Sequence, residues 1–302
     1  MELSKELEKY GKVLVQEPLK KHTTYKIGGP ADYYIYPNSL EDFQAVLSLL
    51  KREDIPWFVL GKGSNVLVGD HPWHGAVICL DRAFSSYEFQ DDILYAQAGC
   101  SLIALAFEAQ KHSLSGLEFA AGIPGSLGGG LYMNAGAYRS DLSRLLMDVQ
   151  VLRDGKVEWV SKEDLDYQYR HSAFQKHKDW IILAARLKME KGDPQEIQDL
   201  MDSRKKRRQD SQPLEKPCAG SVFRNPENMN AWKIIDELGY RGKIQGGACV
   251  SGKHSNFIVN ETGDATAADV SSLIEQIQKD AREKLGVELI TEVERINWDE
   301  EA

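Results

Sequence analysis

Six glycines lie within the fifteen residues Gly122–Gly136, in the run AGIPGSLGGGLYMNAGAY that spans Ala121–Tyr138. Glycine has no Cβ and accepts positive φ, so a run of this density lets backbone N–H groups come close to a bulky, charged ligand. A flexible linker would be polar throughout, whereas Ile123, Leu127, Leu131 and Met133 punctuate this one. The run is read as a packed loop flanked by apolar residues, a clamp for a nucleotide or cofactor. The competing reading is a cluster of turns and close packing.

A second, shorter loop has similar chemistry. Trp57-Phe58-Val59-Leu60 reads as a buried strand, Gly61-Lys62-Gly63-Ser64-Asn65 as a tight turn, and Val66-Leu67-Val68 as another strand. A Rossmann dinucleotide fingerprint needs a third glycine three residues after the second, then a helix. That position is Val66, in a β-branched run that favours a strand, so the Rossmann reading fails. What remains is a turn whose N–H groups, Ser64 hydroxyl and Asn65 amide suit a phosphate; the competing reading is a plain hairpin.

At 302 residues and 42% hydrophobic content the chain has material for two or three domains with cores. A formal charge of −9 argues against a general nucleic-acid binder but not against small anionic substrates, because local charge sets a site. The N-terminal segment lacks the apolar stretch of a secretory signal, and no run approaches the ~18 apolar residues of a membrane span. A cytoplasmic protein without membrane insertion is expected, as a monomer or weak oligomer. Cys79, Cys100, Cys218 and Cys249 are scattered without CxxC spacing, which is expected of reduced structural thiols rather than a metal site.

The pattern along the chain is α+β. Ala31–Tyr36 reads as a strand, and Ser39-Leu40-Glu41-Asp42 as a capping box opening a helix with Leu40, Phe43, Leu47 and Leu50 on one face. Strand signals follow at Ala76–Leu80, Ile93–Ala98, Val149–Leu152, Val157–Val160 and Ile181–Leu187, with a helix near Leu102–His112. Asp193–Gln212 is polar and helix-compatible, with Arg204-Lys205-Lys206-Arg207-Arg208 as a solvated face or an attractor of phosphate-bearing ligands. Beyond Pro213, Thr266–Asp269 forms a second capping box before the stripe Val270, Leu273, Ile274, Ile277, Ala281 and Leu285, which Gly286 ends. A strand is expected over Val287–Ile296, placing Glu292 on the side of Ile290 and Ile296, at a rim or in a site. The expected division is 1–84, 85–195 and 196–302.

Five segments occur in a telling order: GKGSNVLV (Gly61–Val68), the long glycine run, YRHSAF (Tyr169–Phe174), AGSVFRNP (Ala219–Pro226) and GGACVSGKHSNFIVN (Gly246–Asn260). With this order, from about Thr23 to Ile296, the chain resembles the UDP-N-acetylenolpyruvoylglucosamine reductase family. Only about fifty residues separate Arg170 from Ser221, which resembles the shorter subtype lacking a substrate-covering tyrosine loop. Two departures stand out: His254-Ser255-Asn256-Phe257 where the family often reads His-Ala-Gly-Phe, and His22-Thr23-Thr24 where Asn-Thr-Thr is common.

The resemblance implies a two-lobed FAD-binding unit of the vanillyl-alcohol-oxidase (PCMH) type, 1–84 and 85–195, plus a C-terminal α/β substrate-binding domain, 196–302. It implies FAD held non-covalently and NADPH as reductant, in the reduction of UDP-N-acetylglucosamine enolpyruvate to UDP-N-acetylmuramate for peptidoglycan synthesis. On this likeness Gly61, Lys62, Gly63, Ser64, Asn65 and Val66 lie at the pyrophosphate. Ala121, Gly122, Ile123, Pro124, Gly125, Ser126, Gly128, Gly129, Asn134, Ala135 and Gly136 follow the diphosphate and isoalloxazine. Hydride passes from flavin N5 to C3, and Ser221 maps onto the proton donor to C2. Arg170 and Glu292 map onto the remaining catalytic positions: Arg170 grips the substrate carboxylate in a bidentate fork, and Glu292 orients or polarises it. Arg224 and Asn225 are candidate substrate contacts, Arg224 at the UDP phosphates. Two alternatives remain at this level: a flavin oxidase or dehydrogenase on the same scaffold, or a non-catalytic nucleotide-binding protein.

Overall fold

The computed structural model describes residues 2–298. The chain folds into two compact units, neither contiguous in sequence. The first takes residues up to Val15, Tyr33–Lys62 and Gly75–Lys206; the second takes Gln16–Asp32, Gly63–His74 and the residues from Arg207 onward. Among the described residues no helix is long and apolar enough to cross a membrane.

The first unit is built around a five-stranded antiparallel sheet in the order Lys156–Ser161, Leu146–Arg153, Ile181–Lys188, Ile93–Gln97, Tyr87–Gln90. Its central strand is buried at nearly every position because a core covers each face, and a β-bulge sets which residue enters which core. Pairing runs Leu152–Ile181 and Val151–Ile182, then jumps to Gln150–Ala184, leaving Leu183 as the extra residue. Ile181 and Leu183 thus face one core, with Phe43 and Leu50, while Ile182, Ala185 and Leu187 face another, with Leu102 and Leu127. The helix Leu40–Arg52 covers the first core through Phe43, Val46, Leu49 and Leu50, and Ser39 Oγ accepts from Asp42 N at 3.1 Å at its start.

Half of the long glycine run is not the loop expected from its composition: Leu127–Met133 is an α-helix, capped by Ser126 and closed by Asn134 at φ 46°. Each helical glycine costs about 1 kcal/mol against alanine. Close packing outweighs that cost. A Cβ on Gly130 would stand 2.8 Å from Leu142 Cδ1 and 2.9 Å from Leu102 Cδ1, and one on Gly128 would stand 3.0 Å from Ala98 Cβ. The glycines let this helix lie flush on its neighbours.

The strands flanking the shorter loop do not form a hairpin. Trp57–Val59 pairs parallel with Trp73–Ile78, whereas Val66–Val68 pairs parallel with Glu294–Ile296.

In the second unit the helix Ala267–Leu285 buries Val270, Leu273, Ile274, Ile277 and Ala281 against a core that includes Tyr25, Ile27 and Leu67. Its start carries the full capping box of Thr266 and Asp269, and Gly286 closes it at φ 64°. Asp70 adds a second cap, accepting from Ala267 N at 2.9 Å and Ala268 N at 3.1 Å. Asp70→Ala is expected to lower the unfolding free energy by about 1 kcal/mol through loss of both bonds and of a negative charge at the helix start, read as a shift of the urea midpoint.

The strand expected over Val287–Ile296 is far shorter, only Glu294–Ile296, with an isolated bridge between Phe223 and Thr291 before it. Ile290 is 57% exposed, while Leu289 and Val293 are buried. Glu292 therefore lacks the apolar company that alternation implied. The backbone before Glu294 is committed to residues around Val222, by single bonds rather than a continuous ladder.

Candidate functional site

Ser221 and Glu292 belong to the second unit, on one hydrogen-bonded frame. Gly220, at φ +78°, turns the chain into Ser221. Beyond it, Glu292 N donates to Val222 O at 2.7 Å and Arg224 N to Ile290 O at 2.9 Å. Asn65 closes the frame: its Nδ2 donates to Glu292 O at 3.0 Å and its carbonyl accepts from Glu294 N at 3.0 Å. Val222 and Phe223 are buried, while Ser221 and Glu292 are half-buried. The Glu292 carboxylate is thus carried on paired backbone, and the Ser221 hydroxyl stands next to that backbone at Val222, a condition for holding groups at fixed positions.

Thr24 ties this frame to the shorter loop. Its Oγ1 donates to Cys218 O at 2.6 Å, and its N–H to Gly63 O at 3.0 Å. Next to it, the Tyr25 hydroxyl donates to Ile258 O at 2.9 Å, and burial holds that phenol well above its ordinary pKa. Gly63 sits at φ +61°, and a Cβ there would lie 2.1 Å from His22 O. Gly63→Ala combines left-handed strain with a clash against rigid backbone. It is expected to cost about 2 kcal/mol or more, visible as a lowered thermal midpoint.

The first unit holds the other candidates. Gly61 meets the long glycine run: a Cβ on it would stand 2.5 Å from Ser126 Oγ, the hydroxyl that also accepts from Gly129 N. Lys62 Nζ pairs with Asp81 Oδ2 at 3.2 Å. Asn134 is buried and locked by its side chain, with Oδ1 accepting from Ser143 N and Nδ2 donating to Gln168 O. Arg170, at φ +54°, lies in the tight turn closed by reciprocal bonds between Gln168 and His171. Its Nη2 donates to Gly136 O at 2.6 Å and its Nη1 to Asn134 O at 3.4 Å, so the guanidinium rests on the end of the glycine run. Gly136 is required there, because a Cβ would lie 2.3 Å from Ser140 O.

Of the two substrate candidates, Arg224 has a buried Nε with no hydrogen-bond partner among the described residues, a donor that an anion would satisfy. Asn225 has its Oδ1 committed to Ala231 N at the start of the helix Ala231–Glu237. Thr24 and Asn256 join the frame although neither was singled out as a site residue. Spacing gives no signal for Thr24, and Asn256 was visible only as a departure from a family pattern.

Known proteins resemble this chain over nearly its whole length. Residues 212–296 match the family described as UDP-N-acetylenolpyruvoylglucosamine reductase, C-terminal domain, and residues 31–161 the family described as FAD binding domain. The chain is 46% identical over 287 residues to the UDP-N-acetylenolpyruvoylglucosamine reductase of Bacillus velezensis, covering 95% of this chain and 94% of that one. The reductase of Bacillus subtilis is 44% identical at the same coverage. The crystal structure of UDP-N-acetylenolpyruvylglucosamine reductase from Thermus caldophilus superposes with a TM-score of 0.81 at 33% identity, over 95% of this chain and 98% of that chain.

Proposed function

This chain belongs to the UDP-N-acetylenolpyruvoylglucosamine reductase family, and on that premise we propose how its own residues reduce UDP-N-acetylglucosamine enolpyruvate to UDP-N-acetylmuramate. It is an FAD-dependent oxidoreductase of peptidoglycan precursor synthesis, with the α+β fold and vanillyl-alcohol-oxidase-type cofactor unit expected of it. The residues suit the cofactor in kind: at Gly61, Gly63 and Gly136 a Cβ would strike Ser126 Oγ, His22 O and Ser140 O, so both loops turn tightly and present bare backbone only as glycine. Gly61–Val66 and the run from Ala121 to Gly136 would hold it through backbone N–H groups, Ser64, Asn65 and Ser126. When bound, FAD supplies the hydride that C3 of the enolpyruvyl group receives, and NADPH restores it. Residues 1–84 and 85–195 are assigned to the two cofactor lobes and 196–302 to the UDP-sugar, with the reaction in the cytoplasm.

The other half of the addition is a proton, and Ser221 Oγ–H delivers it to C2. A serine hydroxyl is a very weak acid, so it protonates only a strongly basic carbon. C2 has that character once C3 is reduced and negative charge spreads into the adjacent carboxylate. Arg170 grips that carboxylate and stabilises the charge, its guanidinium oriented by Gly136 O and Asn134 O. Glu292, fixed by Val222 O and Asn65, orients the same group. Arg224 takes the UDP phosphates and Asn225 the sugar side.

The observation that carries this reading is the frame on which Asn65, Glu292 and the backbone after Ser221 are held together. Its test is product identity. Purified protein given NADPH and the enolpyruvyl nucleotide is expected to consume both in equal amounts and yield UDP-N-acetylmuramate by mass spectrometry. NADPH consumption without that product would refute it.

A further inference from the structure

One side chain holds the backbone beyond Ser221 from both sides. Asn256 Oδ1 accepts from Phe223 N at 2.9 Å, and its Nδ2 donates to Phe223 O at 2.8 Å. The carbonyl of Asn256 accepts from Val222 N at 2.9 Å. Asn256 is 4% exposed and Phe223 1%, so water does not replace a lost partner. A carboxamide serving both the N–H and the C=O of one residue acts as a neighbouring strand would. Among short side chains asparagine alone carries a donor and an acceptor at that reach; aspartate lacks the donor, and glutamine is a methylene longer.

The clamp is itself braced. Asn256 N donates to His254 Nδ1 at 3.3 Å, Phe257 N to His254 O at 3.0 Å, and the Ser255 hydroxyl to Trp232 O at 2.9 Å. On the far side of the same segment Glu292 N holds Val222 O. Upstream of Ser221 stands Gly220, at φ +78° with open space where its Cβ would be. The backbone just after Ser221 is thus held by Asn256 and Glu292, while the bond upstream, Thr24 Oγ1 to Cys218 O, lies beyond Gly220.

We infer that Asn256 is a positioning residue for proton delivery, fixing the backbone after Ser221 so that its hydroxyl meets C2 of the substrate. The inference rests on Ser221 being the proton donor, as proposed above.

The test uses the full-length, FAD-loaded protein and its Asn256→Ala and Asn256→Asp variants, with reduction by NADPH and reoxidation by the enolpyruvyl nucleotide timed separately. Asn256→Ala is expected to slow reoxidation roughly tenfold to a hundredfold, the effect of a small misplacement, and to leave reduction within about twofold. The solvent isotope effect on reoxidation should rise, and in a Ser221→Ala background Asn256→Ala should add nothing. Independently of activity, exchange of the Phe223 amide should accelerate more than that of Val222, whose partner is backbone. Asn256→Asp should recover, relative to the parent, as pH falls, because a carboxylic acid donates to Phe223 O and a carboxylate does not.

Equal slowing of both half-reactions, or full slowing in the Ser221→Ala background, would overturn the inference and leave Asn256 a stabilising residue only. If Asn256→Ala does not fold, the pH recovery of Asn256→Asp decides, and its absence counts against the inference. If the parent protein is not reoxidised by the enolpyruvyl nucleotide, the functional reading fails and the inference falls with it.

Discussion

Ser221→Ala is expected to slow reoxidation by the enolpyruvyl nucleotide by roughly 10²–10⁴-fold, the usual contribution of a positioned general acid, while NADPH still reduces the bound flavin at close to the parent rate. The asymmetry follows from the proposed role: as proton donor, Ser221 serves the addition at C2 and takes no part in reduction of the cofactor. The substitution removes one half-buried oxygen and leaves the backbone of Val222 and Phe223 with its bonds to Asn256 and Glu292, so the fold and cofactor content should be unchanged. Ser221→Cys should fall between, because a thiol at that position still carries a transferable proton. Anaerobic single-turnover absorbance separates the two steps. Equal losses in both half-reactions would remove Ser221 from the proton-delivery role.

Arg170→Ala is expected to cost about 10²–10³-fold in reoxidation by the enolpyruvyl nucleotide, the range seen when one donor to a developing oxyanion is removed. Arg170→Lys should recover only part, because a lysine offers a point charge in place of a planar fork. Arginine has geometric reasons to be here. It bonds Gly136 O and Asn134 O from its two terminal nitrogens, which aligns the guanidinium plane before any substrate arrives. Both variants should raise the KM for the enolpyruvyl nucleotide and leave NADPH-driven reduction nearly intact. If Arg170→Ala instead slows both half-reactions alike and lowers the flavin content, Arg170 is a brace for the glycine run rather than a grip on the carboxylate.

Much of this was legible in the residues, where a single local signal has one physical meaning. Thr266, Asp269 and Gly286 announce the two ends of the long C-terminal helix, and both caps form. The β-branched run after Gly63 excludes a Rossmann turn, and Val66–Val68 is a strand. The misses come from tertiary structure overriding local preference. Gly128 and Gly130 read as loop because a dense run of glycine disfavours helix, yet Leu102, Leu142 and Ala98 approach too closely for any larger residue. The bulge at Leu183 is invisible in a continuous apolar run, although it decides which core each residue enters. Residues 287–293 look like strand, but their backbone partners lie around Val222, some seventy positions earlier, and are too few for a ladder. The second unit also gathers Gln16–Asp32 and Gly63–His74 to its C-terminal part, an arrangement no linear composition shift marks.

At the site, the division is similar. Ser221 and Arg170 are proposed because their motifs come in order, and Glu292 because the resemblance extends past them to Ile296. The bonds that hold the surrounding backbone carry no such signal: Asn256 and Thr24 act on backbone atoms distant in sequence, and Asn134, expected only at the cofactor, also donates to Gln168 O. Residue type alone carries no mark of such a bond.

The most direct test of the account is anaerobic stopped-flow on the purified parent protein, in which NADPH first bleaches the flavin and the enolpyruvyl nucleotide is then mixed in without oxygen. The account predicts rapid return of the oxidised flavin spectrum on adding that nucleotide, with one UDP-N-acetylmuramate formed per flavin. Flavin that stays bleached until oxygen is admitted would contradict it and point to an oxidase built on the same cofactor unit.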